Sequence, residues 1–319
     1  YEIPRAYPYT RAQMLDILQK NVSGFAEEEL ETLRDDGTLD WRYVNGEVRF
    51  KNNALSALLK TRKEYAMRAT DPAVMSGTKA SAEQLSAMIA KMKANGGVRA
   101  RFELHEELTV RSDRLTEGET LRIHLPMPIV GAQVKRAELL SASHPVAFLA
   151  PEDEPQRTIY FELPYEPGMT VSAEIAYEID APYAQPHARE VYAEQPVFDT
   201  EELPPHVVFT PYLRALAKEI VGDETNALLK ARKIYDFITT QAVYRFMPPY
   251  LTVPNIPEYF LSGLRGDCGV QAITFVTLCR LCGVPAQWQS GLYTKPNSAG
   301  HHDWARFYVC LLYTSPSPR

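Results

Sequence analysis

The spacing of apolar residues divides the chain into three stretches. In the first, apolar positions recur three and four apart, the period of an amphipathic helix. Met14, Leu15, Ile17 and Leu18 mark one helix and Leu30 and Leu33 another within residues 10–34. Further helices are predicted over 53–69, with Leu55, Leu58, Leu59, Tyr65 and Met67, and over 81–94, with Leu85, Met88, Ile89 and Met92 on one face. Between them Trp41 and Tyr43 precede Asn45-Gly46, and Val48 and Phe50 follow. Asn-Gly favours the tight turn whose twist matches that of paired strands. In that register Tyr43 faces Val48 and Trp41 faces Phe50, so one side of the hairpin is apolar. These aromatic residues are expected in a core, not in a binding site.

After the turn signal Asn95-Gly96-Gly97, an expected domain boundary, the period falls to two. Phe102, Leu104, Leu108 and Val110 alternate with polar residues. So do Leu121, Ile123 and Leu125, then Ile159, Phe161 and Leu163, then Val171, Ala173, Ile175, Tyr177 and Ile179. Turns with Pro, Gly and Asp separate the groups, and the pattern predicts a β-sandwich over 97–182. Glu106 breaks the apolar side of its strand, which an edge position or a bulge would explain. A surface linker rich in Pro, Ala and Glu is predicted over 183–204.

Helical spacing returns in the third stretch. Thr210-Pro211 reads as an N-cap followed by proline at the first helical position, and that helix stops at Val221-Gly222. Thr225 is expected to cap the next helix, in which Leu228, Ala231, Ile234, Phe237 and Ile238 share a face. Val243 to Phe246 reads as extended, and a loop with Pro248, Pro249, Pro254 and Pro257 follows. A strand is predicted over 285–293 and another from His302 to Val309. The fold class is therefore multidomain α+β. It comprises a helical N-terminal region with a β-hairpin (1–96), a β-sandwich (97–182), a linker (183–204) and an α+β core (205–309).

Composition narrows the function classes. With 45% hydrophobic and 23% charged residues, the chain is not of the disordered class. A net charge of −6 and the lack of Lys/Arg runs argue against a nucleic-acid partner. The longest uncharged stretch, Leu281 to Thr294, contains Gly, Pro and Gln and is shorter than the roughly 20 residues of a membrane helix, so no transmembrane segment is expected. The chain opens at Tyr1 and shows no signal-peptide pattern, which leaves export open. The four cysteines, at 268, 279, 282 and 310, all lie late in the chain and do not form a disulfide framework.

The chemistry centres on Gly266-Asp267-Cys268-Gly269-Val270-Gln271-Ala272. Asp267 is a good N-cap, and Val270, Ile273, Val276 and Leu281 supply a helical apolar face before Gly283 and Pro285 stop it. A cysteine on the first turn feels the positive end of the helix, which favours thiolate. The second stretch is His301-His302-Asp303-Trp304. A histidine there can take the thiol proton. Adjacent strand residues face opposite ways, so only one of the two histidines meets the cysteine, and the spacing to Trp304 selects His302. Cys279 and Cys282 have C-x-x-C spacing, but they sit late in a helix with no second close pair, so they read as core residues and no metal or cofactor is expected. Trp304 reads as a shield for the site or as core. Asp267 reads as a helix cap and not an acid.

Those residues carry a resemblance. Gly266-Asp267-Cys268, the helix ending Leu281-Cys282-Gly283-Val284-Pro285-Ala286, and His302-Asp303-Trp304-Ala305 resemble the bacterial transglutaminase-like superfamily, a fold distantly related to papain-like cysteine proteases. The helix over 212–221 and the run Lys230-Ala231-Arg232-Lys233-Ile234-Tyr235-Asp236-Phe237-Ile238 resemble the segment that precedes the cysteine in these proteins. The resemblance is specific over 205–309. It is softer over 98–180, where Leu125-Pro126-Met127-Pro128 and the alternating strands resemble a β domain that often precedes such a core. It does not reach 1–96.

The resemblance implies that Cys268 is the nucleophile and His302 the general base and acid. The reaction is acyl transfer from an amide through a thioester: water as acceptor gives a peptidase or amidase, an amine gives a transglutaminase. The implied substrate is a protein, peptide or peptidoglycan-type amide. The Cys268 N–H would help to stabilise the oxyanion, with Gln241 or Tyr244 as the second donor. The alternative is an inactive core used as a scaffold or binding protein. Relatives of this architecture are often exported. The family's third residue, an Asp on the strand after the histidine strand, has no counterpart in Cys310 to Arg319, which has no Asp and no strand period. Residues 310–319 read as a non-native tail and the core as truncated. Asp303 is not expected to replace the missing Asp, because its side chain leaves the strand on the face opposite His302.

Overall fold

The computed structural model describes residues 2–110, 114–245, 247, 250–295 and 298–310. The chain gathers into two compact units. One comprises Tyr1–Ser86, Pro186–Gln289 and Asp303–Arg319; the other comprises Ala87–Gln185 and Ser290–His302.

The first unit begins with helices Arg11–Asn21 and Glu27–Asp35. Thr10 and Gln13 form a reciprocal capping box: the Thr10 hydroxyl accepts from the Gln13 N–H at 3.2 Å and Gln13 Oε1 accepts from the Thr10 N–H at 2.9 Å. The hairpin Trp41–Val44 and Glu47–Phe50 has the expected register, Trp41 opposite Phe50 and Tyr43 opposite Val48. Asn45 and Gly46 turn it with φ of 52° and 83°, the left-handed geometry that Asn-Gly tolerates. Tyr9–Thr10 adds a third strand beside Phe50. Met14, Leu18, Leu30, Leu33, Phe50 and Leu58 are fully buried together.

Two helical expectations change in detail. The helix over 53–69 is two helices, Ala54–Thr61 and Lys63–Ala66, because Arg62 between them is extended. The 81–94 helix lies within Pro72–Asn95, yet that helix buries no residue, and Leu85 is 62% exposed. The apolar period foretold the helix but not a partner for its face.

The rest of this unit is built around Cys268–Leu281, a helix whose residues from Val270 to Arg280 are almost all buried. Pro211–Val221, Ala227–Gln241 and Ile256–Gly263 bring Leu213, Ile234, Ile238 and Phe260 into a shared core with Val270 and Leu278 of that helix. The N-cap of Ala227–Gln241 is Asn226, not Thr225; its carboxamide oxygen accepts from the N–H groups of Leu228 and Leu229. Val243–Tyr244 and Arg265–Gly266 pair in parallel, with Tyr244 beside Gly266. The strands Ala286–Lys295 and Ser298–Phe307 pair with each other, and the second begins before His302. The linker is anchored to the core: buried Arg280 donates to the carbonyls of Ala286 and Glu201, at 2.8 and 3.1 Å, and pairs with Asp199. Of the expected tail, only Cys310 is among the described residues. Its N–H donates to Gln195 Oε1 at 2.8 Å and its carbonyl accepts from the Tyr192 N–H at 3.0 Å.

The second unit holds two antiparallel three-stranded sheets. Thr170–Pro182 lies between Gly97–Thr109 and Val134–Ala142, and Thr158–Pro164 lies between Thr120–Pro126 and Phe148–Leu149. Ile159, Phe161, Val171 and Ile175 are fully buried in a common core. Val134–Ala142 escapes the period-two pattern because register shifts at Val134/Arg136 and Leu139/Ser141 break its alternation. Glu106 lies on the edge strand, opposite Ala173. Both of its carboxylate oxygens are buried without a hydrogen-bond partner. Desolvation alone pushes its pKa up to about 7.

Candidate active site around Cys268

Asp267 is extended and caps the central helix: its carboxylate accepts from the Val270 N–H at 3.1 Å. Cys268 therefore starts the first turn, half-buried, as a free thiol. Gly266, one residue earlier, is paired beside Tyr244, and a Cβ there would fall 2.6 Å from Val270 Cγ1. Glycine thus lets the strand run directly into the helix.

Three side chains converge on this turn. The Tyr244 hydroxyl donates towards the Cys268 sulfur, and its oxygen accepts from the Cys268 backbone N–H. Burial first, and then the neighbouring Cys268, push the phenol's pKa upward, so Tyr244 stays protonated as a donor. Tyr250 donates to Asp267 Oδ1 at 2.5 Å. Its pKa is also raised, first by burial and then by that carboxylate. The third is Asp303, whose Oδ2 lies 3.8 Å from Cys268 Sγ and accepts from the thiol. A Cβ on Gly269 would collide with the Tyr250 hydroxyl and fall 2.7 Å from Asp303 Oδ2, so the absence of a side chain at 269 makes room for both groups.

Asp303 is expected to leave its strand opposite His302 and so not to orient that histidine; its carboxylate lies at the thiol, a contact that leaves this expectation standing. Alternation tells which strand residues share a face; it does not tell which face meets the helix. His302 is the last residue of the second unit, and there its imidazole packs edge-on against Tyr293, ring centroids 5.9 Å apart. Trp304 is 38% exposed and donates its indole N–H to Gln289 Oε1 at 2.9 Å, so it does not fill the core. Gln241 ends its helix exposed, which leaves Tyr244 of the two candidate donors at the thiol. Tyr250 carried no sequence signal beyond its place after two prolines. Cys279 is fully buried, as expected for a core cysteine, and burial pushes its thiol well up. Cys282 is raised for the same reason, against the Lys230 cation. Among the described residues, no three His, Cys, Asp or Glu side chains group to hold a metal ion, and no helix is long and apolar enough to cross a membrane.

Residues 214–315 match the transglutaminase-like superfamily core. This stretch of the chain is a transglutaminase-like core. No curated protein matches the chain. Among solved structures, a candidate cysteine protease from Cytophaga hutchinsonii is similar at 18% identity and a TM-score of 0.48, over 67% of this chain and 75% of that one. The periplasmic domain of TgpA from Pseudomonas aeruginosa, bound to ethylmercury, is similar at 16% identity and a TM-score of 0.30, over 69% of this chain and 88% of that one. The same domain in a second structure gives 15% and 0.31.

Within the transglutaminase-like core, the arrangement sets a half-buried thiol beside a phenol hydroxyl. The sulfur sits on a helix start, where backbone N–H groups point outward. The Tyr244 oxygen accepts from the Cys268 N–H, and its own O–H turns to that sulfur. An oxygen that develops negative charge beside the sulfur would have to take the Cys268 N–H from the Tyr244 oxygen, and the Tyr244 O–H from the sulfur, to be held by both donors.

Proposed function

We propose that this protein is a cysteine-dependent acyl-transfer enzyme acting on amide bonds, a peptidase or amidase in the first instance. The supporting observation is the thiol on the first turn of a buried helix, with the Tyr244 hydroxyl bonded to both its sulfur and its backbone. In this reading Cys268 attacks the amide carbonyl and His302 takes the thiol proton. The tetrahedral oxygen is held by the Cys268 N–H and Tyr244, and His302 returns the proton to the leaving amine. Water, deprotonated by His302, then opens the thioester to a carboxylate. An amine in its place yields a new amide, the transglutaminase outcome. The substrate is a protein, peptide or peptidoglycan-type amide. The chemistry belongs to 205–309, with the two sheets of 97–182, read as a sandwich, as an accessory domain.

The contact between Asp303 and the thiol favours a second reading, in which the core is an inactive scaffold: a carboxylate beside a thiol opposes the thiolate that attack requires. By alternation His301 shares the face of Asp303, so both histidines enter the test. Amide hydrolysis by the intact chain is compared with Cys268→Ala, His302→Ala and His301→Ala. The enzyme reading expects loss in the first two, by about a thousandfold or more, and retention in the third. Activity unchanged in Cys268→Ala would falsify it. Loss in His301→Ala with retention in His302→Ala would move the base to His301.

A further inference from the structure

The N-terminal region lies outside the matched family core, yet its side chains reach the segment that carries Tyr244. The Lys60 ammonium, on Ala54–Thr61, stands 5.4 Å from the centre of the Tyr244 ring. On the next residue, the Arg245 guanidinium pairs with Asp40 at 2.9 Å, both side chains largely buried. Asp40 is in turn held by the Tyr7 hydroxyl at 3.0 Å and Lys51 at 3.6 Å. Across the parallel pair, Arg265 donates to the Asp36 carbonyl at 3.2 Å. Gly37 lies so close under that guanidinium that a Cβ there would overlap it. The N-terminal region thus grips both strands of the pair, one leading from Tyr244 and the other into Cys268.

Such a grip has a chemical consequence. A cation over a phenol ring interacts with the ring's negative face. It also draws electron density from the hydroxyl, which makes the O–H a stronger donor to the sulfur. The Asp40–Arg245 pair fixes the backbone from which Tyr244 projects.

We propose that the N-terminal region is a working part of the thiol centre, in which Lys60 and Asp40 are positioning residues that act through Tyr244 to set the reactivity of Cys268. The proposal rests on Cys268 being the reacting group, and its test needs no substrate. Alkylation of Cys268 by iodoacetamide is followed at neutral pH on the intact chain, with the modified peptide identified by mass spectrometry. Tyr244→Phe is expected to slow alkylation by about tenfold, the loss of one hydrogen bond to a charged group. Lys60→Met is expected to slow it by about threefold, the scale of a cation–π contact. Lys60→Arg, which keeps the cation, should restore the parent rate. In the Tyr244→Phe background Lys60→Met should have no further effect, because the two act in series.

An unchanged rate in Lys60→Met, or an equal slowing with and without Tyr244, would overturn the proposal. Lys60 is exposed, so its variants keep the fold. Asp40→Asn, read on the folded fraction, should also lose its effect in the Tyr244→Phe background. Lys60→Met decides the matter whatever Asp40→Asn does to stability. If the chain hydrolyses no amide but the alkylation cycle holds, the proposed function fails and this inference stands.

Discussion

Two carboxylates with buried oxygens, one in each unit, meet the same problem in opposite ways. Asp40 in the first unit is surrounded by Arg245, Lys51 and the Tyr7 hydroxyl. Burial lowers the Lys51 pKa against the pull of Asp40, and burial together with Asp40 pushes that of Tyr7 up to about 12. Glu106 in the second unit has neither ion pair nor hydrogen bond at its oxygens among the described residues, and its hold on a proton is tightened instead, to a pKa of about 7. A buried acid is tolerated when either partners or a proton neutralise it. Partners join two parts of the chain; a proton joins nothing and leaves a pH dependence behind.

The comparison can be tested by removing each solution in turn. The largest effect is expected from Asp40→Ala, which strands Arg245 and Lys51 in a poorly hydrated site. A loss of about 3–5 kcal/mol is expected, measured by denaturant unfolding. A change within error would mean that water already serves these charges.

Gly269→Ala comes next. A methyl group there overlaps the Tyr250 hydroxyl and crowds Asp303. It should cost about 1–3 kcal/mol and change the Cys268 alkylation rate. Wild-type stability and alkylation would show that both groups move aside freely.

Glu106 gives the third test. Its folded pKa of about 7 lies above the ordinary 4.5, so the folded state holds the proton more tightly. Its contribution is therefore fully present below pH 4.5, declines as pH rises towards about 7, and is flat above. Discounted for the solvent that reaches this half-buried residue, the amplitude is about 1–2 kcal/mol. Glu106→Gln should remove that slope from a series of melts across the interval; an unaltered slope assigns it elsewhere.

The smallest effect belongs to Glu29, a more exposed acid held by Arg68 at 2.7 Å, which, more than any other cause, lowers its pKa to about 2. This stabilisation is present above pH 4.5 and fades as pH falls towards about 2. Arg68→Ala should cost less than about 1 kcal/mol, and a larger loss by thermal melting would show that the pair is better shielded than its exposure indicates.

Much of this architecture was legible in the sequence because it rests on local rules. The Asn45-Gly46 hairpin and its register, the Thr210-Pro211 helix start and the Asp267 cap each depend on residues a few positions apart. So does Cys268 at the head of its helix. Val134–Ala142 was not legible, because its bulges erase the alternation that marks a strand. The exposure of Leu85, Met88 and Ile89 was not legible either, since a periodic face states what a helix could bury and not what comes to cover it. Asp303 at the thiol falls in the same class: alternation ordered the side chains of its strand, but only packing chose the face that meets the helix.

By itself, then, the sequence determined the elements, the caps and the cysteine helix, since propensity, capping and hydrophobic period act over one or two turns. Only the tertiary structure decided that residues 1–86 and the cysteine helix share one compact unit. It alone placed Lys60 over Tyr244, Asp40 on Arg245 and Asp303 at Cys268. Each of these contacts joins elements distant in the chain, and their meeting depends on burying large apolar surfaces together, a non-directional force that leaves no local signature.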